Sequence, residues 1–427
     1  MAACHPFIAT TEESWLNRPA HRRWLIDQGE SLIAFGKASR RPEGGFATLD
    51  EWGHPIPAQR PQTLIAARMT HTFALAALQG IPGAGALVDH GISALTSLFH
   101  DDRHGGWFAE MPDDEDASGI DTTKQAYLHA FVALAAASAT AAGRPGARVL
   151  LDRAVEVIER HFWSDEEGRM RESFSRDWQQ GEAYRGANSN MHSVEAFLAL
   201  ADVLEAPVWR QRALSIAGYL IHEHAVQAGY LVVEHFDEQW QEWRDYNRDQ
   251  PGDQFRPYGL TPGHALEWSR LLVNLEAGLL RHGEQAPDWL LHDAIGLFDA
   301  AVTTGWAADG APGFVYTVDW QQQPVVRARM HWVIGEGVAA AAALLARTGQ
   351  VRFEHCYRQW WDYIDLYLID RERGSWHHEL DEHNQPSASV WSGKPDIYHA
   401  YQATLFPRLP LAPTAATLLA ERPELAG

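Results

Sequence analysis

Apolar residues recur at three- and four-residue spacing through twelve stretches of the chain, near 14–38, 61–80, 84–99, 121–143, 147–162, 189–204, 207–225, 261–282, 286–303, 329–347, 351–369 and 395–410. Each is long enough to predict a helix. Start signals support two of them. Thr261-Pro262 reads as an N-cap followed by proline at the first helical position, and Lys394-Pro395-Asp396 places a proline and an acid in a first turn. The stretches also alternate in character. "ARVLLDRAVEVIERHF" and "RFEHCYRQWWDYIDLYL" are striped, whereas "AYLHAFVALAAASATAA" and "HWVIGEGVAAAAALLA" are apolar or small nearly all round. A striped helix faces water on one side and an all-apolar one is enclosed, so two concentric layers are predicted.

A short phrase follows the outer helices: "RRPEGGFATLD", "HDDRHGGWFAE", "WSDEEGRMRES", "VQAGYLVVEHF", "ADGAPGFVYTV" and "DRERGSWHHEL". Each reads as a polar turn, usually with glycine, then a short aromatic or aliphatic strand. Self-similarity of this kind marks one repeated helical hairpin. Six inner and six outer helices predict an all-α fold, an (α/α)6 barrel with short strands in its connections, forming one domain over residues 1–427.

Composition narrows the partners. Of the residues, 46% are hydrophobic and 21% charged, as in a folded globular chain, and the net charge of -21 argues against nucleic acid or an anionic membrane surface. Cys4 and Cys356, the two cysteines, form no Cys-x-x-Cys pair, so neither a disulfide framework nor a thiolate zinc site is expected. The N-terminal stretch "MAACHPFIATTEESWLNRP" lacks a basic region followed by an apolar one, and the run "GVAAAAALLA" is too short to span a bilayer. A cytoplasmic protein, monomeric or homo-oligomeric, is the expectation. The 18 Trp point to a sugar, whose apolar C–H face suits an indole.

Unusual polar residues sit near the N-terminal ends of the inner helices: Arg68, Tyr127, His192, His264 with Glu267, Glu336 and His399. In a barrel of parallel inner helices these first turns meet at one end, and separate oddities become one constellation. Alone, a histidine on an apolar helix is more often a hydrogen-bonded core residue, and Arg68 with Glu336 could be a buried ion pair. Together they predict an active site. A helix N-terminus disfavours imidazolium, which leaves a neutral ring able to act as a base. His264 and Glu267, three apart on one face, predict a carboxylate that orients the ring. Two such histidines on opposite sides of a sugar could move a proton on and off carbon.

Other chemistries find less support. "HEH" at 222–224 and "HHELDEH" at 377–383 have metal-like composition but no zinc spacing, so no metal is expected. No phosphate loop, dinucleotide glycine motif or Gly-x-Ser-x-Gly elbow occurs, so no cofactor is expected either.

The motifs "ARMTH", "KQAYLHAF", "NSNMHSVEAF", "GHALEW", "HWVIGEG" and "KPDIYHAYQ", with Phe46-Ala47-Thr48-Leu49-Asp50 ahead of them, resemble those of the N-acylglucosamine 2-epimerase superfamily over nearly the whole length. Within it the chain is most similar to the branch of bacterial mannose and sulfoquinovose isomerases. The resemblance implies an (α/α)6 barrel that needs no cofactor and converts D-mannose to D-fructose, with D-lyxose and D-xylulose as a second pair, through a cis-enediolate. It implies His264 and His399 as the acid/base pair. Arg68, Tyr127, Asn188, His192, Glu267 and Glu336 would hold the substrate and the histidines, and Trp332 and Trp376 would contact the sugar. The segment before His399 shows no added cationic or amide pair for a sulfonate, which favours a neutral hexose. Alternatives are a 2-epimerase acting on mannose and glucose, a sulfoquinovose isomerase, an inverting glycosidase with two carboxylates, or a sugar-binding barrel without turnover.

Overall fold

Why the inner helices start where they do is a matter of backbone pairing just ahead of each. In the computed structural model, which describes residues 14–426, the chain alternates outer and inner helices. Residues 1–13, including Cys4 and most of the stretch read for a leader, lie outside the described part. The outer helices are α1 (Pro19–Gly36), α3 (Ala84–Ser97), α5 (Ala147–Val157), α7 (Pro207–Ala217), α9 (Trp289–Gly305) and α11 (Val351–Tyr363). The inner ones are α2 (Thr63–Leu78), α4 (Ala126–Ala141), α6 (Ala187–Val203), α8 (Pro262–Arg281), α10 (His331–Thr348) and α12 (Tyr398–Leu405). Each inner helix packs on the next around a closed ring, α12 returning to α2, and each outer helix backs an inner one, α1 covering α12. This is the (α/α)6 barrel. No described helix is long and apolar enough to cross a membrane.

Burial follows the predicted alternation. Nearly every residue of α4 and α10 is enclosed, while α5 and α11 bury one stripe. Three outer helices, α5, α7 and α11, end in a wider turn, over Ile158–Phe162, Gly218–Ala225 and Ile364–Leu368. The predicted stretches ran through these turns, since the apolar period continues.

Every inner helix but α6 begins later than its periodicity predicts. Lys124–Gln125 pair with Ser173–Phe174, and Arg329–Met330 pair with Glu379–Leu380, so those backbone groups belong to short antiparallel ladders. The last inner helix begins at Tyr398, because the Asp396 carboxylate accepts from the Tyr398 N–H at 2.9 Å and closes a turn ahead of it. Pro262 occupies the first turn of α8 as expected, although the Thr261 side chain makes no capping bond.

Four of these entries are held by a buried ion pair that runs back to the turn after the preceding outer helix. Lys124 meets Asp101 at 2.9 Å, Arg185 meets Glu167 at 3.2 Å, Arg329 meets Asp309 at 2.7 Å and Lys394 meets Asp370 at 2.7 Å. The acid lies in the polar turn of the recurring phrase, which in five copies closes as a bridged hairpin, for example His100 with Trp107 and Ile369 with Trp376. A second turn recurs beyond it. Asp50, Asp237, Asp319 and Asp381 each accept from the N–H groups two and four residues on. The third residue after each Asp is left-handed, and it is glycine only at Gly53; Trp240, Gln322 and Asn384 fill it elsewhere.

The far end of the barrel is stoppered by a segment that periodicity did not predict. Helix α13 (Ala415–Glu421) packs on α2, α4 and α6, and the irregular segment leading to it is pinned by Asp202, which accepts from Thr414 N, and by Asn274, which donates to the Leu411 carbonyl. Seven residues are too few to stand out as a helical pattern.

Burial raises the Asp370 carboxyl most, but the Lys394 hydrogen bond and charge together with the Arg373 N–H hold the group below the usual range. Lys394→Met leaves that charge uncompensated in an enclosed site. The variant should lose about 3–5 kcal/mol of stability in urea unfolding, as for other broken buried pairs. A loss below about 0.5 kcal/mol, the range of ordinary surface changes, would show that the clip does not fix the α12 entry.

Candidate active site

At the end of the barrel where the inner helices begin, one cavity collects residues from all six of them. Arg68 (α2), Tyr127 (α4), Asn188 and His192 (α6), His264 and Glu267 (α8), Trp332 (α10) and His399 (α12) line it. Glu336 of α10 sits directly behind His399. Nine of the ten residues expected at the site are therefore brought together. Trp376 is not. It is buried in the outer layer at a right angle to Trp361, 6.0 Å between ring centroids, because its strand position bridges Ile369 and turns the indole inward. The aromatic wall is completed instead by Trp391 and Phe255, edge to face at 5.5 Å. A larger void near the stoppered end is lined mostly by alanine and other small or apolar groups and contains neither His264 nor His399.

Both histidines contact Trp332, whose ring centroid lies 5.2 Å from that of His264 and 5.8 Å from that of His399. The indole reaches that position because residue 263 is glycine; a Cβ there would come within 2.5 Å of it. The Nδ1 atoms of both histidines face buried carboxylates, His264 on Glu234 at 2.9 Å and His399 on Glu336 at 3.1 Å. A carboxylate only accepts, so each Nδ1 carries a proton.

This corrects the expected pairing of His264 with Glu267. Glu267 lies one turn deeper and turns to the barrel axis, 3.6 Å from Arg270 and 3.7 Å from His192 Nδ1. Glu234 precedes the strand His235–Asp237 and was missed, since nothing in "VVEHF" separates an inward acid from an outward one. The alternative ion pair of Arg68 with Glu336 is also absent. Arg68 binds Asp396 at 3.2 Å and donates to the Tyr127 hydroxyl at 2.9 Å, and Glu336 takes Arg270 at 2.9 Å. The Arg68 Nε has no partner and is free to donate.

Below the cavity, Glu195, Glu267 and Glu336 surround the single guanidinium of Arg270. Burial raises Glu336, but the Arg270 charge and His399 bring it below the usual range. Glu195 is lowered against the same burial by His192, Arg270 and the Tyr398 hydroxyl, which donates to it at 2.5 Å. Burial first, then the Glu336 charge, push Glu267 well above the carboxylate range, and neither of its oxygens has a hydrogen-bond partner. Glu267 is thus a neutral acid. His192 is brought down to about 4 by burial, which Glu195 only partly opposes, so it is a neutral ring. Tyr127 is pushed up to about 12, chiefly by burial, and keeps its proton.

The "HEH" and "HHELDEH" stretches divide. His222 and His224 bind Asp293 and Glu242 outside the cavity. His378 does line it, stacked on His331, and neither was expected there. His192, Glu195 and Glu267 bring three ligand-type atoms within 4.8 Å of one another, but Arg270 already supplies the positive charge at that point.

The family model for N-acylglucosamine 2-epimerase (GlcNAc 2-epimerase) matches residues 44–403. A protein of Pseudomonas cannabina pv. alisalensis named D-mannose isomerase is 56% identical over 410 residues, 96% of this chain and 98% of its own. One of Thermobifida fusca with the same name is 54% identical over 407 residues, 95% and 98%. Among solved structures, a D-mannose isomerase superposes with a TM-score of 0.83 at 29% identity, covering 92% of this chain and 99% of that one. Cellobiose 2-epimerase from Spirochaeta thermophila has the same fold, with a TM-score of 0.77 at 20% identity and coverage of 94% and 97%.

The Glu234 contact sets a checkable state. The ¹⁵N imidazole spectrum of the wild-type protein should show His264 with its proton on Nδ1, and Glu234→Gln, whose amide can also donate, should show a mixture of tautomers. A wild-type ring protonated on Nε2 would contradict the arrangement.

Proposed function

The chain belongs to the N-acylglucosamine 2-epimerase family, and on that footing we propose that it is an aldose–ketose isomerase interconverting D-mannose and D-fructose, with His264 and His399 as its acid/base pair. The observation that carries this reading is the pair of imidazoles that both contact Trp332, each with Nδ1 held by a buried carboxylate. The relatives named D-mannose isomerase support the substrate.

The pyranose stacks its C–H face on Trp332. One imidazole takes the O1 proton and passes it to O5, the C1–O5 bond breaks, and the open aldehyde forms. A histidine Nε2 then removes the C2 proton; the electron pair moves into a C1–C2 double bond and the carbonyl oxygen becomes an enediolate oxygen. Arg68, charged and with an unpartnered Nε, donates to that oxygen as negative charge develops. The proton returns to C1, the O2 proton passes to O1, and the 2-ketose results. Neutral Glu267 and His192 can hold sugar hydroxyls without adding charge that would compete with the enediolate.

General acid–base groups contribute about 10²–10⁴-fold each. His264→Ala and His399→Ala should each lower kcat for mannose by that factor at least, measured by fructose formation, with the fold retained by circular dichroism. Near-normal rates in both would refute the assignment.

A further inference from the structure

Two cavity-lining histidines have no part in the chemistry above. His331, the first residue of α10, and His378, beside the strand Glu379–Leu380, stack with ring centroids 3.8 Å apart and planes 24° from parallel. Their register is fixed by the backbone. His331 N donates to the His378 carbonyl at 3.0 Å, beyond the antiparallel pair of Met330 and Glu379, and His331 Nδ1 lies 3.2 Å from the same oxygen. Only 5% of His331 and 6% of His378 is exposed, and the Nε2 of each has no hydrogen-bond partner. A buried polar atom left so costs about 1–3 kcal/mol, and two such atoms on adjacent rings in one cavity wall call for a shared ligand.

The chemistry of that ligand follows from charge. Burial drops His331 to about 3, and the neighbouring His399 pushes the same way. Burial takes His378 well below its ordinary range, with His331 next in effect. The stack is neutral. The one guanidinium among the described cavity-lining residues, Arg68, is held by Asp396 and Tyr127. Lys394, next to the lining residue Pro395, points away into Asp370. An anionic group on the substrate would therefore meet no unpaired cation. A hydroxyl both donates and accepts, and suits either tautomer of a neutral imidazole. The His331 ring lies 6.3 Å from that of His399, on the acid/base side of the cavity.

We propose that the His331–His378 stack is a subsite for hydroxyls of an aldose beyond C2, and that it selects an uncharged polyol tail over a sulfonated or phosphorylated one. This rests on the reading of His264 and His399 as the pair acting at C1 and C2. Both histidines are positioning residues for the substrate, and removing their nitrogens weakens binding more than it slows the chemistry.

The test compares wild type, His378→Phe, which keeps the stack without the nitrogen, and His378→Gln, which restores a polar group. His331→Phe is the second site should the His378 variants fail to fold. With D-mannose, His378→Phe should raise KM by about tenfold, the worth of one hydrogen bond, with kcat changed by less than about threefold; His378→Gln should recover part of the loss. The 4-deoxy and 6-deoxy analogues of mannose locate the hydroxyl: the relevant one costs wild type the same factor and costs the Phe variant nothing further. A 6-sulfonated aldose should have a wild-type KM at least about a hundredfold above mannose. A KM for folded His378→Phe and His331→Phe within about twofold of wild type, or equal use of the sulfonated sugar, would overturn the proposal. Absence of mannose turnover by wild type would refute the isomerase reading instead. Calorimetric binding of D-mannitol then carries the test, with the same tenfold loss in His378→Phe supporting the subsite and an unchanged affinity overturning it.

Discussion

The architecture depends on buried acid–base clips that fix where the inner helices begin. Lys124, Arg185, Arg329 and Lys394 reach from just ahead of an inner helix to an acid in the preceding turn. Enclosed ion pairs gain little net stability over apolar packing, but leaving one partner alone is costly. Their effect is therefore one of register. A clipped inner helix that slid by a residue would rotate its first turn by about 100° and carry Tyr127, His192, Trp332 or His399 out of the cavity. For these four helices, the placement of the cavity residues and the helix entry are thus set by the same contacts.

A second constraint lies on the barrel axis, where three carboxylates share one guanidinium. The charges cannot all stand in an enclosed site, and the balance is reached by keeping Glu267 protonated and His192 neutral. The consequence reaches the cavity. Its floor offers neutral donors and acceptors, and Arg68 is the one guanidinium among its described lining residues.

Much of this was legible in the sequence, for identifiable reasons. Alternation of all-apolar and striped helices exposes the layering, because enclosure is a property of the whole circumference of a helix. Polar residues in otherwise apolar first turns, such as His264 after Pro262, mark the mouth because nothing else would tolerate them there. What stayed hidden depends on contacts distant in sequence. Glu234 is 30 residues from His264 and on another kind of element. The i, i+3 spacing of His264 and Glu267 suggested a contact that geometry replaces. Trp376 and Trp391 look alike in composition, and only the strand bridge to Ile369 decides which faces the core. The repeated Asp turns were invisible to a search for glycine, since three of the four fill the left-handed position with Trp, Gln or Asn.

The central claim is that the two histidines move a proton between C2 and C1 of one sugar. The most direct measurement is the conversion of D-mannose in deuterium oxide, followed by proton and deuterium NMR. The account predicts D-fructose as product, with solvent deuterium at C1 to the extent that the abstracted proton exchanges. D-glucose carrying deuterium at C2 as the principal product, or no change in mannose, would contradict it.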